Sequence, residues 1–475
     1  MEKFTVHVLF LGLRNMSTGW PYSNFNIDNA VEKIKKEMLQ VLGESDPSLN
    51  LSGWTVISGD QDLFPAYYEL KEADGMIIVP LTAEFAALGP DIFKVCEADL
   101  PAIIYTPPFA TYWDGFGSLH ASGIKAVHVA SSSISDIREP LKAMKAVMKL
   151  RRLRLLIIRD MDHDYSKIDP RMLDPRWKGP AYQKLIHDTF GTKLYFSESE
   201  ELLDVFNSIS KHEISREFEQ ILGNSKGTKE PPENEVYQAV GMYLAMKKIM
   251  QDNKCNGISV DCLSIIRENK HPVSPCLGIS RLNTEEYVAG CEADVESTIT
   301  LALCRYLSGQ SGFQADPVID QSKNQVLFAH CTAAPNMCEN MDSPYYFRTH
   351  NESLSNVGVE VEMPVNKPVT ILKILGTAVT QHVCWPDIPV KRDFTGYHLL
   401  TYESASIPHE YHESDRGCRT KLAVELPPDE LEEFGSNFYG HHRIVVFGHY
   451  QKLLKYSAAL MGIKYHSKMY LNLQK

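Results

Sequence analysis

No Cys-x-x-Cys pair occurs in this chain: its ten cysteines stand singly along 475 residues. That excludes a zinc ribbon, and dispersed thiols in a chain of this size are expected to be reduced and buried rather than tied into a disulfide framework. A nucleotide fingerprint is also missing. After the first apolar run, Leu11-Gly12-Leu13-Arg14 offers one glycine where a dinucleotide-binding turn needs three, and no phosphate loop follows. A dinucleotide-dependent dehydrogenase is therefore rejected. His409-Glu410-Tyr411-His412 is one residue too short between its histidines for the zincin helix motif, and no serine-hydrolase nucleophile elbow is read. No run approaches the roughly 18 apolar residues of a membrane span. The apolar stretch after Met1 reads as a strand, with no basic segment and small-residue cleavage site to make it a leader. Positive charge is in deficit, with a net −12 that leaves no basic footprint for nucleic acid. Internal repeats of roughly 20–50 residues are lacking, which excludes a solenoid or propeller. A cytoplasmic protein with neither nucleic-acid nor membrane partners is expected.

What is present is a globular composition, 44% hydrophobic and 23% charged, on a length that suits about two or three domains. Residues 1–150 alternate short apolar runs (Val6–Leu13, Gly75–Pro80, Pro101–Thr106, Lys125–Ala130) with helical periodicity over Ile27–Leu42 and Ile134–Leu150. Apolar runs of this kind suit parallel strands buried on both faces, in a doubly wound α/β domain. A second α/β domain is expected over 151–309, with strands at Leu153–Ile158, Lys193–Phe196 and Gly257–Val260 and helices at Glu198–Ser210 and Glu235–Asp252. From 310 to 475 the pattern turns to strand-like runs separated by turn residues. This predicts a β-rich, partly barrel-like C-terminal domain that ends on a strand at Arg443–Phe447, a helix at Tyr450–Met461 and a short last strand.

The chain is organised around Cys291–Asp316. Glu292 precedes an apolar helix with Val295, Ile299 and Leu303 on one face, Ser308-Gly309 ends it, and Asp316 follows in the next extended run. Strand, acid, helix, turn, acid is a geometry that returns the second carboxylate close to the first. Such a pair can hold a divalent cation or divide acid and base roles. A purely structural reading stays open, with Glu292 at a helix N-terminus and Asp316 in a turn. His330 closes the apolar run Leu327–Ala329. In His441-His442, an extended backbone sends one ring into a cleft and the other out. Two carboxylates with an imidazole form a mixed O/N donor set that suits Mn²⁺ or a related ion better than Ca²⁺.

These residues bring a family into view. Glu292-x-Asp294, an apolar helix, Ser-Gly and Phe313-Gln314-Ala315-Asp316 resemble the metal-binding segment of the L-fucose isomerase and L-arabinose isomerase superfamily. The tail, His441-His442-Arg443-Ile444-Val445-Val446-Phe447-Gly448-His449 with its helix and Met461-Gly462-Ile463, resembles the family's ending, with His441 standing where the family has Asn. The resemblance is best from about residue 256 onward; in the first 250 residues or so only the architecture agrees. It implies an L-fucose isomerase-like fold of three domains and an aldose–ketose isomerase working through a cis-enediol. Glu292, Asp316 and His442 would hold Mn²⁺, or Mg²⁺ or Co²⁺ in its place. Glu292 and Asp316 would be the acid/base pair, and His330 a substrate-positioning residue. A sugar substrate and a homo-oligomer are implied as well. A variant is an isomerase of an acidic aldose such as sulfoquinovose, for which Arg281, Arg348, Arg416 and Arg419 are candidate contacts, Arg419 foremost. The competing class is a non-catalytic sugar-binding protein on the same fold.

Overall fold

The computed structural model describes residues 3–14, 18–43, 46–83, 98–110, 125–160, 180–262, 266, 273–376, 396–411, 416–436 and 440–468. They form two compact units, one of residues 1–149 with 452–463 and one of 150–451 with 464–475. No helix among the described residues is long and apolar enough to cross a membrane.

In the first unit, strands β1 (Phe4–Leu11), β2 (Leu49–Ile57), β3 (Gly75–Pro80), β4 (Ala102–Thr106) and β5 (Ala126–Ala130) form a parallel sheet in the order β2-β1-β3-β4-β5. β3 and β4 are buried at every position, so their unbroken apolar runs are what a sheet covered on both faces requires. Helices α1 (Ile27–Met38), α2 (Asp60–Leu70) and α3 (Arg138–Arg151) connect or follow these strands. α1 starts where Asn26 accepts the Asn29 N–H through its side chain, a polar cap that satisfies one of the helix's orphan donors. The strand order reverses at β1, which is the doubly wound arrangement.

The second unit joins a parallel sheet to a ring of antiparallel strands. β6 (Arg154–Ile158), β7 (Lys193–Ser197), β8 (Gly257–Val260) and β9 (Val288–Cys291) lie in the order β7-β6-β8-β9. Helices α4 (Pro180–Phe190), α5 (Ser199–Ser208), α6 (Lys211–Asn224), α7 (Glu233–Asp252), α8 (Cys276–Thr284) and α9 (Val295–Ser308) accompany them. Then β10 (Phe313–Asp320), β11 (Gln325–His330), β14 (Pro368–Leu375), β15 (His398–Ile407), β16 (Thr420–Glu425) and β17 (Arg443–Phe447) pair as β14-β17-β10-β11-β16-β15. β15 also pairs β14 and closes the ring, which removes the open edges of an antiparallel sheet. β18 (Lys464–His466) adds to β15 in parallel, and β12 (Tyr345–His350) with β13 (Ser355–Val361) makes a separate two-stranded ribbon. The expected mixed α/β architecture with a barrel-like C-terminal portion is thus present.

The crossing from β9 into α9 is tightly packed. A Cβ on Gly290 would stand 2.0 Å from Thr298 Oγ1 on the first turns of α9. Only a glycine strand residue lets the helix come so close. Gly290→Ala is therefore expected to destabilise the protein by about 1–3 kcal/mol through overpacking, read as a lower urea midpoint. Thr298→Ala in the same chain is expected to recover part of the loss, and an unchanged midpoint for the single variant would refute the close approach.

Candidate metal and acid–base site

Glu292 and Ala293 both take left-handed backbone angles, φ +59° and +50°. Two consecutive non-glycine residues in this region are costly. They reverse the chain between β9 and α9 and aim Glu292 out of the end of the parallel sheet. The helix cap falls not on Glu292 but on Asp294, whose side chain accepts the Ser297 N–H at 2.9 Å and the Ser297 hydroxyl at 2.7 Å. α9 ends at Gly309 in the left-handed conformation, its N–H bonded to the Arg305 carbonyl, as the Ser-Gly signal predicts.

Asp316 lies within β10 rather than in a turn. It pairs with Ala329 across to β11, next to His330, while Ala315 pairs with Arg443 on β17, next to His442. Three neighbouring strands thereby bring Asp316, His330 and His442 together, with ligand atoms all within 4.8 Å of one another. The histidine pair lies just before β17, with a bend at His441; His442 is 1% exposed and His441 half-buried. His442 Nε2 is buried without a hydrogen bond. It faces Glu292 Oε1 at 3.7 Å and Asp316 Oδ1 at 4.0 Å. Its Nδ1 lies 2.9 Å from Asp294 Oδ2, so the ring donates Nδ1–H to that carboxylate and turns Nε2 toward the other two acids. Gln314 locks the same corner. Its Oε1 accepts the Cys291 N–H at 2.9 Å, its Nε2 donates to the Cys291 carbonyl at 3.2 Å, and Nε2 also lies 3.1 Å from His442 Nδ1.

Charge is unevenly shared across this cluster. Burial works against the His442 cation, but Glu292, Asp294 and Asp316 override it and push the imidazole up to about 10. Burial likewise opposes ionisation of Glu292, yet His442 holds its carboxyl down at about 2. Asp316 goes the other way. Desolvation in the cleft, with Glu292, Glu352 and Asp294 adding negative charge, raises it to about 6 against the pull of His442. His330 is driven down to about 3 by burial and by His442, so near neutrality it is an uncharged imidazole, its Nδ1 held 3.0 Å from the Thr332 hydroxyl. Partial burial alone would raise Asp294, whose side chain is 15% exposed; Lys373, with hydrogen bonds from His442 and Ser297, keeps it well below the usual carboxylate range.

This donor set fits a divalent cation. Ligand atoms about 2.0–2.2 Å from one ion stand roughly 3–4 Å apart, the spacing found between His442 Nε2 and the two carboxylates. Without a metal the three acids keep His442 protonated, so its buried Nε2 carries a proton between two carboxylates; a divalent cation would displace that proton and take its place. Asp316, His330 and His442 converge as one group, and Glu292 reaches the same His442 nitrogen, so the ion could be held by Asp316, His442 and His330 with Glu292 alongside. Asp294 would orient His442 from behind.

Three of the four arginines have partners outside the cluster. Arg281 pairs with Glu285 and Glu217, and Arg348 with Glu230 and Glu360. Arg416 is exposed. Arg419 donates to the carbonyl and hydroxyl of Thr349, at 2.8 and 2.7 Å. With Lys229, Lys421 and Glu360 it lines a cavity of about 380 Å³. His412, the second histidine of the failed zincin motif, lies outside the described residues. The Gly-x-Ser-x-Gly spacing does in fact occur, at Gly223-Asn224-Ser225-Lys226-Gly227. Ser225 caps the end of α6 and donates to the Leu222 carbonyl at 2.8 Å, so it has none of the strand-to-helix geometry of a nucleophile elbow.

Three members of the cluster receive no role from the sequence: Asp294 and Gln314, which stand inside the segment quoted above, and Lys373, which lies outside it. Lys373 carries the clearest signal, a lone cation in the apolar strand Pro368–Leu375, since a buried charge demands a partner. Compared with known protein families and with curated proteins, the chain finds no match in either.

Proposed function

We propose that this protein is a metal-dependent aldose–ketose isomerase, similar in kind to L-fucose and L-arabinose isomerases, that moves a proton between C1 and C2 of a sugar through a cis-enediol. The observation that carries this reading is the buried His442 Nε2 flanked by two carboxylates of opposite bias, Glu292 held near 2 and Asp316 raised to about 6. Environments that drive two acids apart are how a site prepares a base and an acid at one pH. Glu292 stays ionised and takes the proton from the sugar carbon. Asp316, with 40% of its side chain open, reaches the substrate and returns a proton to the neighbouring carbon. A divalent cation in this donor set supplies Lewis acidity toward adjacent sugar oxygens, and Mn²⁺, Mg²⁺ and Co²⁺ all suit two carboxylates and an imidazole. Asp294 fixes the His442 tautomer, and neutral His330 positions substrate.

An acidic aldose is a second reading within the same chemistry. It rests on two buried cations, Arg419 just before β16 and Lys421 within it, on either side of Thr420, which pairs with His330.

The test is an exchange assay. Metal-stripped protein is incubated in D₂O with L-fucose, L-arabinose, D-arabinose and sulfoquinovose, with and without Mn²⁺, and the C2 proton is followed by NMR. Metal-dependent deuterium incorporation with one sugar is the expected result. Folded protein that binds both Mn²⁺ and a sugar yet exchanges no proton would support the sugar-binding class instead.

A further inference from the structure

His330 and Glu292 belong to a second donor set. Cys291 Sγ, a Glu292 carboxylate oxygen and a His330 ring nitrogen all lie within 4.8 Å of one another. Cys291 and His330 are buried and Glu292 is partly so. The fold explains the convergence. Cys291 is the last residue of β9 and Glu292 the first residue beyond it, while His330 ends β11. Gln314 pins the Cys291 backbone through both its N–H and its carbonyl, so the thiol is fixed relative to β10. A second thiol, Cys262 Sγ, stands 3.3 Å from Cys291 Sγ. It comes from just beyond β8, whose Val260 pairs with Cys291. Both thiols are at most 2% exposed.

We propose that Cys291, Glu292 and His330 form a binding site for thiophilic divalent cations such as Zn²⁺ and Cd²⁺, overlapping the proposed Mn²⁺ site through Glu292. One sulfur, one nitrogen and one oxygen make a donor set typical of zinc. Thiolate ligation favours softer ions than a carboxylate-rich set does. On binding, the Cys291 S–H proton leaves to solvent and the sulfur bonds the ion. Cys262 then donates its S–H to the ligating sulfur and supports it from behind. Mn²⁺ gains little from the sulfur and keeps to Glu292, Asp316 and His442. A cation in the sulfur site withdraws Glu292 and His330 from the sugar, so Zn²⁺ inhibits rather than activates. The inhibitory consequence rests on the isomerase reading; the binding site itself does not.

The experiment is a Cd²⁺ titration of metal-free, fully reduced protein, followed by sulfur-to-cadmium charge-transfer absorbance in the ultraviolet, on the wild type and on Cys291→Ser, Cys291→Ala and Cys262→Ser. Circular dichroism on each variant confirms folding. The expected result is a tight first equivalent with absorbance for one thiolate in the wild type. That first equivalent should be lost in both Cys291 variants and retained with weakened affinity in Cys262→Ser, where a hydroxyl still donates. Saturating Mn²⁺ is expected to shift the Cd²⁺ midpoint upward, because both ions need Glu292. A first equivalent of undiminished absorbance and affinity in folded Cys291→Ala overturns the proposal, as does a wild type without thiolate absorbance. Cd²⁺ binding at Cys291 in a protein that isomerises none of the sugars leaves this site standing and removes the isomerase reading alone.

Discussion

Replacing Glu292 by Gln is expected to lower sugar isomerisation by about 10²–10⁴-fold, the range that a positioned proton-transfer group contributes, with the fold unchanged. The exchange preserves side-chain size and leaves the left-handed backbone at Glu292 and Ala293 as it is. What it removes is the charge that His442 holds near pKa 2 and one carboxylate oxygen 3.7 Å from the buried His442 nitrogen. An amide neither accepts a proton from a sugar carbon nor binds a divalent cation as a carboxylate does. Asp316→Asn is expected to act in the same direction. The two roles separate by measurement: the Mn²⁺ dissociation constant from electron spin resonance, and kcat at saturating metal. A weakened ion with normal kcat at saturation would make Glu292 a ligand only. A fallen kcat under saturation is the expected outcome and assigns it the proton. Near-normal turnover in both variants, with circular dichroism unchanged, would dispose of the acid–base reading.

Much of this site was legible because its parts are local. Strand, acid, helix, Ser-Gly and acid follow one another within Cys291–Asp316, and period and turn chemistry place each of them. The strands at Gly75–Pro80 and Gly257–Val260 were equally plain, being short apolar runs that must be buried on both faces. β2 and α2 were not. β2 is interrupted by Gly53 at φ +82°, and its burial follows no alternation. α2 carries Pro65 in its interior, a residue that argues for a break. Two placements in the structural reading of the acids differ from the fold: Asp294 rather than Glu292 caps α9, and Asp316 lies within β10 rather than in a turn. Asp294, two residues beyond Glu292, is the better cap by residue type, since Asp is a preferred N-cap and Glu is not, a signal the reading around Glu292 leaves unused. The tertiary partners agree: Ser297, His442 and Lys373 converge on Asp294, while Glu292 approaches His442 Nε2. Lys373 reaches the site only through tertiary packing, 76 residues from Ser297, and Gln314 meets His442 across 128 residues, relations that no short window contains.

Lys373→Met is the substitution expected to cost the most stability. Lys373 is 2% exposed. Its ammonium group lies 3.6 Å from Asp294 Oδ2 and donates to the Ser297 hydroxyl at 2.9 Å. Methionine fills much the same volume, so the change removes the charge and leaves the apolar packing largely in place. Asp294 would then be a buried carboxylate facing its remaining hydrogen-bond donors without its cation. Removing one partner of a buried ion pair typically costs about 3–5 kcal/mol, far more than the pair itself contributes over an apolar replacement. A urea titration of the variant is expected to lose stability in that range. The double variant Lys373→Met with Asp294→Asn is expected to regain part of the loss, because the uncompensated charge is gone and the amide oxygen still caps α9. Additive losses in the double variant would show that the two side chains do not interact and would remove Lys373 from the site. The functional consequence follows from the same contact. Asp294 orients His442, and when its charge is no longer balanced the carboxyl gains a proton or moves. His442 Nε2 then loses its fixed aim at Glu292 and Asp316. Lys373→Met is thus expected to weaken Mn²⁺ binding by about 10–100-fold, the usual cost of losing a residue that supports a metal ligand, although the lysine itself touches neither metal nor sugar.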